Sequence, residues 1–187
     1  MNIAVTGGIG CGKSTVCRVF TDFGIPVYSA DKMCHNALQT KDVIDELTKN
    51  FGVGILNENA QINRTILAET VFDQPEKLAV LTSVLHRIVQ CEIERLTAQK
   101  ETKIIEVPLL YECRLEHMFD CVIAVWSPPD LCAERLKHWP PGQYEKRAKL
   151  QLSSDEKLEK ADFGIINNND ISTLEQQCVI IKNKLHI

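Results

Sequence analysis

Short apolar runs alternate along this chain with stretches of longer, helical period. Asn2–Thr6, Ile25–Ser29, Lys103–Pro108, Cys121–Trp126 and Phe163–Asn167 are apolar, rich in β-formers and bounded by turn or helix signals. Runs of this kind are expected of strands covered on both faces, as in a parallel sheet. Between them the period lengthens. Lys13–Phe23 follows a glycine-rich turn, and Pro75–Gln99 carries Leu78, Leu81, Leu85 and Ile88 on one helical face, entered through Asp73 and Pro75. Ser153 with Glu156, and Ser172 with Glu175, have capping-box spacing and predict the starts of two late helices. Strands alternating with helices predict an α/β fold: a five-stranded parallel sheet flanked by helices.

The texture breaks once, at Trp139-Pro140-Pro141-Gly142, between the helical pieces Pro129–His138 and Gln143–Leu152. A Pro-Pro-Gly turn there predicts a helical hairpin standing off the sheet, a lid in form. No linker, repeat or low-complexity segment appears, so a single domain over 1–187 is expected.

Composition narrows the class. With 187 residues, 44% of them apolar, the chain can bury one core and a small appendage. Net charge is −4, without the clustered basic excess usual in proteins that live on nucleic acid or anionic lipid. No nucleic acid or membrane partner is expected, and an anionic ligand must be met by a local positive site. The N-terminal apolar stretch has no basic segment before it, and no apolar run approaches the roughly 20 residues of a bilayer span. A cytoplasmic protein, monomeric or weakly homo-oligomeric, is expected. None of the eight cysteines is spaced as Cys-x-x-Cys, which sets aside zinc-ribbon and thioredoxin readings. Most are expected to be reduced thiols, several in the core, such as Cys121 and Cys178.

The chemistry begins at Gly7-Gly8-Ile9-Gly10-Cys11-Gly12-Lys13-Ser14, which fits the phosphate-loop pattern at every defined position and lies between a predicted strand and a predicted helix. Gly8, Gly10 and Gly12 let backbone N–H groups approach phosphate oxygens, and the helix opening at Lys13 adds its unsatisfied donors. Lys13 reaches the β- and γ-phosphates of ATP, the Ser14 hydroxyl is placed to ligate Mg²⁺, and Thr15 to touch the α-phosphate. Cys11 fills a position that needs a small side chain. A thiol beside a helix N-terminus can also have a lowered pKa, which raises inhibition by oxidants as a second reading.

A phosphate loop serves kinases and nucleotide switches alike. The Asp-x-x-Gly and Asn-Lys-x-Asp strings of a Ras-like switch occur nowhere in the chain, and a motor ATPase would need more of it. A small-molecule kinase remains. Asp31 falls just past the second predicted strand, at the edge where open α/β sheets bind ligands. It can accept a proton from an attacking hydroxyl or cap the following helix, and spacing leaves both open.

The motifs together resemble the dephospho-CoA kinase family over nearly the whole chain. Val5 to Val16 looks like that family's opening, with Cys11 where serine is usual, and Ser29-Ala30-Asp31-Lys32 looks like its Asp-Ala-Asp segment. Leu85-His86 resembles a Leu-His-Pro motif with Arg87 in place of the proline. Val107-Pro108-Leu109-Leu110-Tyr111-Glu112 is similar to a distinctive Val-Pro-Leu-Leu-x-Glu segment. Arg135, Arg147, Gln151, Ser153, Ala161-Asp162 and Asn167-Asn168 follow the family's order.

The resemblance implies transfer of a phosphoryl group from Mg·ATP to the ribose 3′-hydroxyl of dephospho-CoA. It implies Asp31 as base, Arg147 as a transition-state clamp, and Arg135 and Asn167 at the nucleotide. His86, Leu110 and Glu112 would meet the acceptor, and Glu106 would reach Mg²⁺ through water. It also implies a helical acceptor-binding region near 31–100 and a lid near 129–150. The lid departs from the family in having Lys137-His138-Trp139 where a further arginine is usual. Lysine lacks arginine's planar fork, so a nucleotide-binding protein with little turnover is one alternative. Another small-molecule kinase, of nucleotide or shikimate type, is the other.

Overall fold

The five apolar runs become the strands of one all-parallel sheet: β1 (Asn2–Gly7), β2 (Val27–Ser29), β3 (Lys103–Glu106), β4 (Cys121–Trp126) and β5 (Phe163–Ile166). Their order across the sheet is β2-β3-β1-β4-β5. The computed structural model describes residues 1–72, 74–140 and 142–187. Asp73 and Pro141, on which part of the expected helix entry and part of the hairpin turn fall, lie outside the described residues. The chain divides into two compact units, Met1–Ala30 with Thr97–Ile187, and Asp31–Leu96.

In the first unit β1 is central, flanked by β3 and β4. Ile3, Val5, Ile104, Ile123, Val125 and Ile165 are all at 0% exposure. These six share one face of the sheet, each contributing about 1.5–3 kcal/mol of burial free energy, and Ala4, Ile105, Val122 and Ala124 are buried on the other, so both faces of these runs are apolar. β2 is an edge strand and begins two residues later than its apolar run. Pro26 cannot donate to a ladder, and the N–H of Ile25 is tied to the carbonyl of Phe20 at 3.2 Å. At the other end of a strand, β3 stops at Glu106, although Val107 still donates to the Val5 carbonyl at 2.9 Å. The helices of this unit are α1 (Lys13–Asp22), α6 (Pro129–Arg135), α7 (Gln143–Ala148), α8 (Ser154–Lys160) and α9 (Ile171–Leu185). Ser153 caps α8 in a complete capping box with Glu156. The start of α9 is corrected: its cap is Asp170, which accepts from the N–H of Ser172, not Ser172 itself.

The second unit is helical. It holds α2 (Ala30–Ala37, all but its first residue), α3 (Lys41–Phe51), α4 (Arg64–Val71) and α5 (Pro75–Thr97, up to Leu96). Val43, Leu47, Ile55, Leu67, Val71 and Val84 form its core, with Leu81 and Ile88 packed against it. The expected stripe of α5 therefore holds only in part. Leu78 is 49% exposed and, with Leu85, lines an open apolar groove shared with Leu38, Leu67 and Val71, while Val84, Val89, Ile93 and Leu96 are the buried positions. Among the described residues no helix is long and apolar enough to cross a membrane.

Candidate active site

Parallel strands end at one edge of their sheet, and the glycine-rich loop leaves β1 there. Gly7 is opposite Val125, while Val5 and Ser29 both lie beside Glu106. Gly12 is the turning point of the loop. Its φ of 91° lies in the left-handed region, and a Cβ would stand 2.1 Å from the Asn167 amide nitrogen. Only glycine permits the loop to run into α1 so closely against β5.

Around the mouth of this loop is a cavity of about 470 Å³ lined by Gly10, Gly12, Lys13, Ser14, Thr15, Glu106, Arg135, Leu136, Asn167, Asn169 and Ile171. It unites most of the residues expected at the nucleotide. The Lys13 ammonium donates to the carbonyls of Gly7 at 3.2 Å and Gly8 at 2.9 Å, so the cation stands over the loop. Asn167, 7% exposed, donates its amide to the Cys11 carbonyl at 2.9 Å. That amide holds the loop in shape. Arg135 does the same from α6. Its Nη1 donates to the Gly10 carbonyl at 2.7 Å and to Ser127 Oγ at 3.1 Å, and its Nη2 to Asn169 Oδ1 at 2.6 Å. No motif in the sequence singles out Asn169, although it lies past the carboxyl end of a strand, where such sites form.

The electrostatics are those of an ammonium held by two carbonyl acceptors of the loop. Cys17, one turn into α1, is pushed up to about 12, by burial first and then by the nearby charge of Glu106, against the opposing effect of Lys13. The carboxylate of Glu106 and the Ser14 hydroxyl line one cavity. Hard oxygen ligands of this type suit Mg²⁺ held partly by phosphate and water. Among the described residues no group of three or more His, Cys, Asp or Glu side chains could hold a metal on its own.

Other expected residues fall elsewhere. Asp31 stands two residues beyond Ser29, the last residue of β2, exposed in the first turn of α2 rather than ahead of it. His86 is exposed on α5, beside a shallow depression lined also by Ser83, Arg87 and Gln90. Leu110 is at 0% exposure, its side chain packed within the loop after β3. Arg147, on α7, is exposed with its guanidinium 4.8 Å above the Trp139 ring, outside the cavity lining. Gly8 borders a separate cavity beside Cys132, Ser154 and Tyr144.

Glu112, half-buried, pairs with a fully buried lysine to form a strut. Its Oε1 lies 2.9 Å from Lys157 Nζ and accepts from the N–H of Leu152 at 2.8 Å. Lys157, fully buried, also donates to the Pro108 carbonyl at 2.6 Å, the same carbonyl that Thr6 Oγ1 meets at 3.4 Å. The start of the phosphate loop, the segment after β3 and the exit from the hairpin are thus joined through one ammonium. Nothing in the local sequence singled out Lys157.

A family model described as CoaE, dephospho-CoA kinase, matches residues 1–173. A dephospho-CoA kinase of Aquifex aeolicus is 37% identical over 181 residues, covering 94% of this chain and 92% of that one. Among solved structures, TT1252 from Thermus thermophilus superposes with a TM-score of 0.83 at 26% identity, over 99% of this chain and 97% of that one. The dephospho-CoA kinase of Campylobacter jejuni gives a TM-score of 0.74 at 27% identity, over 98% and 96%.

Proposed function

The chain belongs to the dephospho-CoA kinase family, and from that premise we propose how its residues divide the work. The protein is a kinase that phosphorylates dephospho-CoA with ATP in coenzyme A biosynthesis. Neither a shikimate-type acceptor nor a binding protein without turnover is favoured.

The loop amides and Lys13 bind the phosphates of ATP in the cavity that Arg135 and Asn169 border. Ser14, directly, and Glu106, through water, would hold Mg²⁺, which would supply positive charge against the phosphates. Asp31 is the base. The ribose 3′-oxygen of the acceptor attacks the γ-phosphorus, its proton passes to the Asp31 carboxylate, and the bridging oxygen leaves with its electron pair on ADP. Arg147 clamps the transition state when the 129–150 segment closes as a lid.

The helical stretch 31–100 binds the acceptor, with His86 and Glu112 contributing contacts. Its groove, apolar along Leu67, Val71 and Leu81 and bearing Arg64, suits a long, mostly apolar arm that carries phosphate. The whole chain acts as one dephospho-CoA kinase-like domain, in the cytoplasm, as a monomer or weak homo-oligomer. A single observation carries this reading: Lys13, Ser14 and Glu106 line one cavity, and Glu106 is paired with Ser29, two residues before Asp31.

The test is Asp31→Asn. Turnover should fall about 10²–10⁴-fold while ATP affinity stays near that of the parent, because the base acts only in the chemical step. Full turnover in the variant, with product confirmed by mass spectrometry, would move the base to another residue.

A further inference from the structure

Two thiols that phosphoryl transfer does not need face each other beneath the phosphate loop. Cys11 Sγ and Cys132 Sγ are 3.6 Å apart, one in the loop and one on α6, at 0% and 2% exposure. The backbones that carry them are closely apposed: a Cβ on Gly10 would stand 2.9 Å from the Cys132 carbonyl oxygen and 3.1 Å from its Cα. The sulfurs therefore meet because loop and helix are packed together. Cys11 Sγ also lies 3.3 Å from Ser154 Oγ, and Cys132 and Ser154 both line a cavity of about 410 Å³ with Gly8, Trp126 and Tyr144. A small oxidant entering this cavity meets Cys132 and Ser154, the two side-chain contacts of the Cys11 sulfur.

We propose that Cys11 and Cys132 form a reversible disulfide when the protein meets a peroxide, and that this bond disables ATP binding. The Cys11 sulfur attacks one oxygen of hydrogen peroxide, the O–O bond breaks, and hydroxide leaves as water after protonation. The sulfenic acid so formed is attacked by the Cys132 sulfur. The S–O bond breaks, and the second oxygen departs as water with the thiol proton of Cys132. Two thiols and one peroxide give one disulfide and two waters, with sulfur oxidised and oxygen reduced.

The environment supports Cys11 as the attacking sulfur. Its pKa is held well below the ordinary thiol range, mainly by the hydrogen bond from Cys132 and, against the opposing effect of burial, by Ser154 and the charge of Lys13. The same contact raises Cys132. A disulfide brings its sulfurs to about 2.05 Å, so the pair must close by about 1.5 Å. That pull acts on a loop whose Gly10 and Cys11 carbonyls are pinned by Arg135 and Asn167. The loop's N–H groups cannot then all keep their aim at phosphate oxygens.

The experiment treats the reduced, full-length protein with hydrogen peroxide and follows intact mass, the cross-linked peptide, ATP binding by calorimetry, and recovery with dithiothreitol. The expected result is loss of two hydrogens, a Cys11–Cys132 peptide, and ATP affinity reduced about tenfold or more, as for losing one charge-assisted hydrogen bond. Dithiothreitol should restore binding. Cys132→Ser should bind ATP normally and keep that affinity after the same treatment, and Cys132→Ala serves if the serine variant does not fold. The proposal is overturned if the cross-linked peptide is absent from the oxidised parent, if the linked protein binds ATP undiminished, or if a folded Cys132 variant loses affinity to the same extent. Because the readout is ATP binding, an error in the assignment of the base or the acceptor residues would leave it untouched.

Discussion

The phosphate loop and α7, the second helix of the hairpin that follows β4, both carry cations, yet they are held in opposite ways. Loop atoms are tied to distant elements: the Gly10 carbonyl to Arg135, the Cys11 carbonyl to Asn167, the Cys11 sulfur to Ser154. In α7, by contrast, no residue is buried, and the guanidinium of Arg147 rests on Trp139 of the same hairpin. A site that must receive a fixed charge gains from donors set in advance, since no reorganisation is then needed at the moment of binding. A segment that must admit and release substrate needs contacts it can exchange. On the roles proposed for Lys13 and Arg147, the phosphate-binding half of the site is prebuilt and the clamp forms on closure.

Ranked by the cost to the folded protein, the sharpest way to break that contrast is to cut the strut under the loop. Lys157→Met removes a fully buried ammonium that serves Glu112 and the Pro108 carbonyl. Glu112 Oε2 is buried with no hydrogen-bond partner among the described residues, so its carboxylate depends heavily on that lysine. Leaving it unpaired should cost about 3–5 kcal/mol in urea unfolding, and adding Glu112→Leu should recover much of this, as apolar replacement of both partners does elsewhere. A single variant as stable as the parent would show that the strut carries no load.

Next comes Arg135→Ala. It removes the charge-assisted hydrogen bonds to Gly10 and Asn169, with an expected stability loss of about 1.5–3 kcal/mol and ATP affinity weakened about tenfold. Arg135→Lys should recover only part of either, because an ammonium cannot span both acceptors as the fork does. Unchanged ATP affinity in the alanine variant would mean that the loop keeps its shape unaided.

What could be read from sequence follows the range of each interaction. The strands were legible because burial on both faces writes an unbroken apolar run, and β4 matches its run residue for residue. Edges were less so: at β2 the deciding events are a proline and a hydrogen bond from Ile25 to the preceding helix. In the helical unit, α3 buries Val43 and Leu47 at helical spacing, a stripe that could have been read before the fold was known. The start of α9 is ambiguous in the sequence because Asp170 and Ser172 are both good caps, and only the backbone conformation chooses Asp170. At the site, the phosphate loop is a local backbone device and so is fully written in consecutive residues. Arg135 meets Asn169 34 residues away and Asn167 meets Cys11 across 156, and no spacing rule anticipates such pairs. Leu110 shows the converse limit: a distinctive motif identifies the segment without saying which of its side chains turn inward, and this one is fully buried.

The smallest cost belongs to Arg147→Ala, and it separates the two halves most cleanly. In the resting protein the side chain loses an exposed stacking contact with Trp139, worth about 0.5–1 kcal/mol. Unfolding should therefore barely shift, and ATP affinity should stay at the parent's value, because the residue does not line the phosphate cavity. Turnover is the discriminating readout. If Arg147 acts only as the closed lid meets transition-state charge, kcat and kcat/KM should fall together by about tenfold or more, the pattern of an interaction absent from the ground state. A variant that instead lost ATP affinity with kcat intact would place Arg147 in the ground-state site, and the hairpin would then be as prebuilt as the loop.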